Sequence, residues 1–267
     1  YAPKTVRESV QEGTDHYDFM TTFEGLSGAL ENADLSIVTL ETLAAGREKG
    51  YGNYNTTPQI LDALRTVGVN FVSLATERAL DKGYDGLDIT ASELTSRSIG
   101  FAGVYPDGTN TGAAMANIDG VQVAVLAYTY GLSDEGRERT RDDSRGVVAM
   151  MDSQRVVRDI TQARVDGANI VVVLPHWGTK NRAQTPDTVQ TMAREMAQAG
   201  ADVIFGTHPN VAQGIERLQT VRSDGLTYET VVCYSLGCLL TDARDSENTA
   251  GMAVRLEMTY DPATRRA

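Results

Sequence analysis

Long apolar runs are missing from this sequence. No window approaches the ~20 apolar residues that a membrane-spanning helix requires, and the polar start "YAPKTVRESVQEG" carries no signal-peptide core. Tyr1 stands where an initiator Met would, so a trimmed start and a separate targeting segment are the expectation. Basic charge is also scarce: 24 Lys and Arg face 36 Asp and Glu, a formal net charge of -12. That excludes nucleic acid as the expected partner, because a nucleic-acid binder needs a basic face to displace counterions. Cysteine is nearly absent. Cys233 and Cys238 lie in "VCYSLGC", where a short-loop disulfide and two buried thiols both fit, and the redox compartment stays open. G-x-G-x-x-G and G-x-x-x-x-G-K-[ST] do not occur, so no nucleotide cofactor is indicated. Ser235 has no G-x-S-x-G elbow around it. With three histidines and one tryptophan in 267 residues, the place of each becomes informative.

What is present is an ordinary globular composition, 41% apolar with 25 glycines, long enough for a substantial core. Four helix-to-strand units recur. "DFMTTFEGLSGALENA" sets Phe19, Phe23, Leu26 and Leu30 on one helical face, and "DLSIVTLE" follows as a strand. "PQILDALRTVG" opens at Pro58 and closes at Gly68, followed by "VNFVSLATE". "DSQRVVRDITQARVDGA" starts at an Asp152/Ser153 cap and leads into "NIVVVLPHWG"; "PDTVQTMAREMAQAGA" leads into "DVIFGTHP". Continuous apolar strands are expected where both faces of a sheet are covered.

Each of these strands ends in a chemically able side chain: Glu41, Glu77, His176 and His208. Ligand sites of open α/β sheets form beyond the carboxyl ends of the strands. Two imidazoles and two carboxylates there suit a divalent ion such as Zn, Mn or Fe. His16, in the polar "GTDHYDF", reads as merely exposed, and Trp177 as either core or the wall of a pocket. "AMANIDG" and "VQVAVLAYTY" form a hairpin about Asp119-Gly120. "GIERLQTV", "TYETVVCYSL" and "AGMAVRLEMTY" alternate as antiparallel strands do, so the sheet content is expected to be mixed. "GLSDEGRERTRDDSRG", residues 131 to 146, reads as a long charged loop. It is a solvated excursion or a flap whose Arg137, Arg139, Arg141 and Arg145 meet an anionic substrate.

The ordered blocks "ADLSIVTLET", "VNFVSLATERALDKGYDGL", "VQVAVLAYTYG", "NIVVVLPHWG", "ADVIFGTHPNVAQGIE" and "CYSLGCLL" resemble the CapA family of poly-γ-glutamate capsule proteins. The resemblance runs from about residue 18 to residue 260 and implies a single domain over 1–267. The implied fold is an α/β, four-layer αββα sandwich with two mixed sheets, the calcineurin-like metallophosphoesterase fold, with a di-metal site at strand ends. The departures are specific. The family's N-L-E is Thr39-Leu40-Glu41 here, and its N-N-H-x-x-D is Thr76-Glu77-Arg78-Ala79-Leu80-Asp81. H-W-G survives as His176-Trp177-Gly178, followed by Thr179 where an acidic residue is common, while G-H-H-P-H has become Gly206-Thr207-His208-Pro209-Asn210. Y-S-L-G-N-F is Tyr234-Ser235-Leu236-Gly237-Cys238-Leu239, and the family's first strand with its Gly-Asp has no counterpart.

The resemblance thus implies Glu41, Glu77, His176 and His208 as metal ligands, with Asn210 and Asp81 as weaker ones. It implies His176, His208 and Arg78 as the catalytic groups. Arg78 would stabilise negative charge, because a guanidinium stays protonated and cannot act as an acid. Trp177, Asn210 and Tyr234 become the candidates for substrate contact. It further implies a cell-surface or extracellular place, anchored through a segment outside this chain. The expected partners are an acidic polymer or phosphoester substrate and capsule-assembly membrane proteins. Three readings stay open: a metal-dependent hydrolase with a degenerate site, a non-catalytic binding or scaffold member of the family, and an unrelated α/β hydrolase using Ser235 or a cysteine.

Overall fold

The computed structural model describes residues 4–13, 16–30, 32–49, 54–108, 112–141, 145–241 and 248–263. The chain divides into two compact units, one of Tyr1–Thr109, Gly131–Val148 and Leu240–Ala243, the other of Asn110–Tyr130, Ala149–Leu239 and Arg244–Ala267.

The first unit carries short helices α1 (Lys4–Ser9), α2 (Met20–Phe23) and α3 (Ser27–Leu30), then β1 (Ile37–Thr39), α4 (Gln59–Thr66), β2 (Phe71–Ser73), α5 (Gly83–Ser96), β3 (Gly100–Ala102) and α6 (Asp134–Thr140). Its strands pair in parallel in the order β1-β2-β3, with Thr39 opposite Ser73 and Ser73 opposite Ala102. The continuous helix expected over "DFMTTFEGLSGALENA" is broken: α2 and α3 flank a 3-10 turn at Glu24–Leu26. Gly25 and Gly28 lower helix propensity there, and Phe19 and Phe23 alone of its four apolar residues are fully buried. Helix α4 is as expected, with Pro58 at its N-terminal cap position and Gly68 past its end at φ +104. Ile60, Leu61 and Leu64 face inward.

Residues 131 to 146 are not simply a loop. Ser133 caps α6, its Oγ accepting from the Gly136 N–H at 2.9 Å. Asp134 and Glu135 fill the first turn and Arg137 and Arg139 the last, which suits the helix dipole. Arg139 pairs with Glu135 at 3.0 Å, and Arg137 with Asp134 and the Leu132 carbonyl. Arg145 lies over the Tyr84 ring at 4.2 Å. These three arginines of the expected flap therefore have partners in their own unit.

The second unit carries β4 (Ala114–Ile118), β5 (Val121–Thr129), α7 (Ser153–Val165), β6 (Ile170–His176), α8 (Asp187–Ala199), β7 (Val203–Phe205), β8 (Ile215–Val221) and β9 (Thr227–Cys233). The sheet order is β4-β5-β6-β7-β9-β8. The inner pairs β5-β6, β6-β7 and β7-β9 are parallel, and the edge hairpins β4-β5 and β8-β9 antiparallel. Asp119 and Gly120 make the first hairpin turn with φ +49 and +89, as a two-residue turn of matching twist requires. Asp152 caps α7 by accepting from the Arg155 N–H at 2.9 Å. At the start of β7 the buried Asp202 accepts from the Val171 N–H at 2.8 Å and pairs with Arg164 and, at 3.0 Å, Arg222. The segment "AGMAVRLEMTY", expected as a strand, forms no ladder among the described residues. It makes a bridge between Gly237 and Gly251 and the bond from the Met252 N–H to the Leu236 carbonyl, 2.8 Å. The α/β class with two sheets is as expected; the larger sheet is mixed and the described strands of the smaller run parallel.

Candidate functional site

In the second unit, adjacent parallel strands β6 and β7 deliver both buried histidines. Their pairing continues past the strand ends as a bridge between His176 and Thr207. The Thr207 N–H donates to the Pro175 carbonyl and the Trp177 N–H to the Thr207 carbonyl, both at 3.0 Å. His176 and His208 are 1% and 6% exposed, so their ring nitrogens must be satisfied within the protein. His176 Nε2 lies 3.2 Å from His208 Nδ1, and His176 Nδ1 lies 3.1 Å from Thr207 Oγ1. The rings meet edge to face at 4.8 Å and 66°. The Tyr130 ring covers the pair, 4.6 Å from His208 and 6.3 Å from His176. A neutral pair at this spacing shares one proton as donor and acceptor.

The turn that presents His208 is tightly built. His208 has φ +101 and Asn210 φ +63, a region that side chains other than glycine rarely adopt. Gly206 has no room for a Cβ, which would stand 2.2 Å from the Tyr234 carbonyl oxygen and 2.4 Å from Trp177 Nε1. Trp177, 2% exposed, donates its indole N–H to that same carbonyl at 2.9 Å and stacks on the Tyr234 ring at 6.5 Å. Tyr234 donates its hydroxyl to Glu216 Oε2 at 2.7 Å, and burial, with Glu216, raises its pKa above the ordinary range. Of the residues expected to contact substrate, Trp177 and Tyr234 thus lie buried beneath the turn, and Asn210 is half-buried on it with its Oδ1 3.5 Å from Cys238 Sγ.

The serine and cysteine alternative finds little support. Ser235 is fully buried and its Oγ accepts from the Gly237 N–H at 3.2 Å. Both cysteines are free thiols, and burial pushes Cys233 up to about 11, far from the thiolate that nucleophilic attack needs.

In the first unit, β1 and β2 point their carboxyl ends the same way. Glu41, half-buried, follows one and Glu77, 5% exposed, the other. A tight turn then brings Arg78 back onto acids. Its Nε lies 3.2 Å from Glu77 Oε1 and its Nη1 3.3 Å from Asp81 Oδ2, while its Cζ sits 3.9 Å above the Tyr54 ring. Asp81, 1% exposed, also accepts from the Ser133 hydroxyl. Burial opposes the charge on Arg78, but Tyr54, Glu77 and Asp81 more than offset it and hold its pKa above the ordinary value. Burial raises the Asp81 carboxyl, against the pull of Ser133 and Arg78.

The four expected metal ligands thus divide between the units, Glu41 and Glu77 in one and His176 and His208 in the other. Among the described residues no group of three or more His, Cys, Asp or Glu forms a metal site. The imidazole pair has the spacing of two ligands on one ion, since nitrogens at 2.0–2.1 Å from a tetrahedral ion stand about 3.3 Å apart. A closed site needs four donors and a catalytic one three, and Glu77 and Asp81 are committed to a guanidinium. Within either unit taken by itself, the described residues do not supply the donors of a two-metal centre. Tyr130, Tyr54 and Ser133 were not among the residues the sequence singled out, although Tyr130 directly follows the apolar strand β5; Thr207 was, but only as a replaced position of the histidine block.

These features define an α/β protein with functional groups at strand ends, an imidazole pair on one unit and an acid–guanidinium cluster on the other. A model of the bacterial capsule synthesis protein family PGA_cap matches residues 3–243, and the chain belongs to that family. It is 28% identical over 189 residues to the PGA biosynthesis protein CapA of Bacillus subtilis (strain 168), covering 70% of this chain and 46% of that protein. To the capsule biosynthesis protein CapA of Bacillus anthracis it is 26% identical over 190 residues, 69% of this chain and 43% of that one. The chain therefore spans less than half the length of these curated relatives. Among solved structures it is similar to the sulfate thiohydrolase SoxB of Thermus thermophilus, at 14% identity and a TM-score of 0.47 over 86% of this chain and 40% of that one. The calcineurin-like phosphoesterase YfkN of Bacillus subtilis follows at 15% identity and a TM-score of 0.46, over 78% and 67%.

Proposed function

We propose that this chain serves capsule biosynthesis at the cell envelope as a non-catalytic member of its family, one that binds an acidic envelope polymer or an assembly partner. The observation that carries the reading is the state of the histidines. His176 and His208 are buried and bonded to each other, His176 also to Thr207, and the turn that carries His208 is braced by Trp177 and Tyr234. No third His, Cys, Asp or Glu completes a metal-binding group with them among the described residues. The substrate class comes from the family, whose Bacillus subtilis relative is named for PGA biosynthesis. With a net charge of -12, the chain repels a polyanion at long range. Binding then depends on local contacts, and added salt should relieve the repulsion.

A second reading, a metal-dependent phosphoester hydrolase, is favoured by one feature, the 3.2 Å separation of His176 Nε2 and His208 Nδ1. Binding of poly-γ-glutamate followed by calorimetry, with and without chelator, separates the two. The proposal predicts binding unchanged by chelator and no turnover of generic phosphoesters. Metal-dependent turnover, lost in His176→Ala, would overturn it.

A further inference from the structure

We infer that Arg78 is a built-in cation, which takes up the Glu77 and Asp81 carboxylates and keeps the strand-end acids of the first unit from binding a divalent ion. The inference deepens the metal-free reading above and rests on it, but it concerns the other unit. Three observations carry it. The guanidinium is within 3.2 Å of Glu77 and 3.3 Å of Asp81, both carboxyls almost wholly buried. Tyr54 covers its face at 3.9 Å, so the group is held from the side as well as from its edge. Ser133, the residue that caps α6, donates its hydroxyl to the far oxygen of Asp81, so Asp81 cannot turn away without losing that bond.

The chemistry follows from charge and geometry. Two buried carboxylates need a counter-charge, because an unpaired one is costly. A divalent ion and a guanidinium are alternative ways to supply it. The guanidinium stays protonated at any physiological pH and is tethered to the same short turn, Glu77 to Asp81. A divalent ion would have to displace it and leave the arginine unpaired in a half-buried place. Arg78 therefore decides which cation this site holds, and it acts on metal selection rather than on a substrate.

The test is a Mn2+ titration read by electron paramagnetic resonance, on the whole chain and on variants shown to be folded by circular dichroism. Arg78→Met keeps the stem and removes the charge. It is expected to bind about one Mn2+ per chain with a Kd of about 0.1–1 mM, the range of weak carboxylate sites. That binding is expected to vanish when Asp81→Asn is added, while Arg78→Lys, which keeps a cation, stays without it. Arg78→Met that folds and gains no ion would overturn the inference. So would an ion on the unaltered chain that Asp81→Asn removes, a result that needs no Arg78 variant. Metal held by the imidazole pair is distinguishable, because it is lost in His176→Ala and not in Asp81→Asn.

Discussion

At the scale of single residues, the turn from Gly206 to Asn210 concentrates the constraints. His208 occupies φ +101, a conformation that costs a non-glycine residue about 1–3 kcal/mol. Its neighbours enforce it: the Cβ-free Gly206 lies against the Tyr234 carbonyl, and Trp177 bonds the same oxygen. The turn thereby places the His208 ring against His176 and Tyr130. His208→Ala loses the ring and keeps the strain, whereas His208→Gly loses the ring and the strain together. Urea unfolding should find the glycine variant more stable than the alanine variant by about 1 kcal/mol. Equal stability would mean the turn is not strained.

At the scale of elements, the second unit hangs on a parallel core whose charged fastener is Asp202. This buried carboxylate ties the start of β7 to the β6 backbone and to Arg164 and Arg222. Burial lowers the pKa of Arg222, against the pull of Asp202. Asp202→Ala leaves two arginines without it and should cost about 3–5 kcal/mol, the range for breaking a buried pair. A shift in the urea midpoint measures it, and a change below about 1 kcal/mol would show that water already screens the cluster.

The same elements show what the sequence made legible. Helices α4, α7 and α8 and strand β6 stand out because their apolar spacing is strong and their ends are marked by Pro58, Asp152 and Gly200. Helix α5 does not, since its buried face is Gly86, Leu87, Thr90, Ala91 and Leu94, a weak apolar signal with a breaker inside it. Helix α6 hid in a charged stretch because its stability comes from a cap and from charge pairs, not from an apolar stripe. The "AGMAVRLEMTY" alternation was a sound strand pattern, but pattern alone supplies no neighbour to pair with. The strand-end histidines were legible for the reason that the strands were. Their mutual bond depends on the adjacency and register of β6 and β7, and the commitment of Arg78 to Glu77 and Asp81 depends on how one short turn closes. Neither is written in spacing.

At the scale of the whole molecule, family membership and the retained groups point in different directions. The match over residues 3–243 places the chain among capsule synthesis proteins. The strand-end positions nevertheless hold a guanidinium among the acids of one unit and a self-bonded imidazole pair in the other. A catalytic metal centre needs convergent donors and an open position, and on the proposed reading the guanidinium takes the place of a metal ion beside Glu77 and Asp81. The measurement that tests this most directly is metal content. The protein is incubated with Mn and Zn, freed of excess by gel filtration and analysed by elemental mass spectrometry, beside His176→Ala and His208→Ala. The account predicts far less than one ion per chain in all three. One or two ions per chain, lost in the histidine variants, would contradict it and make the imidazole pair a working metal site.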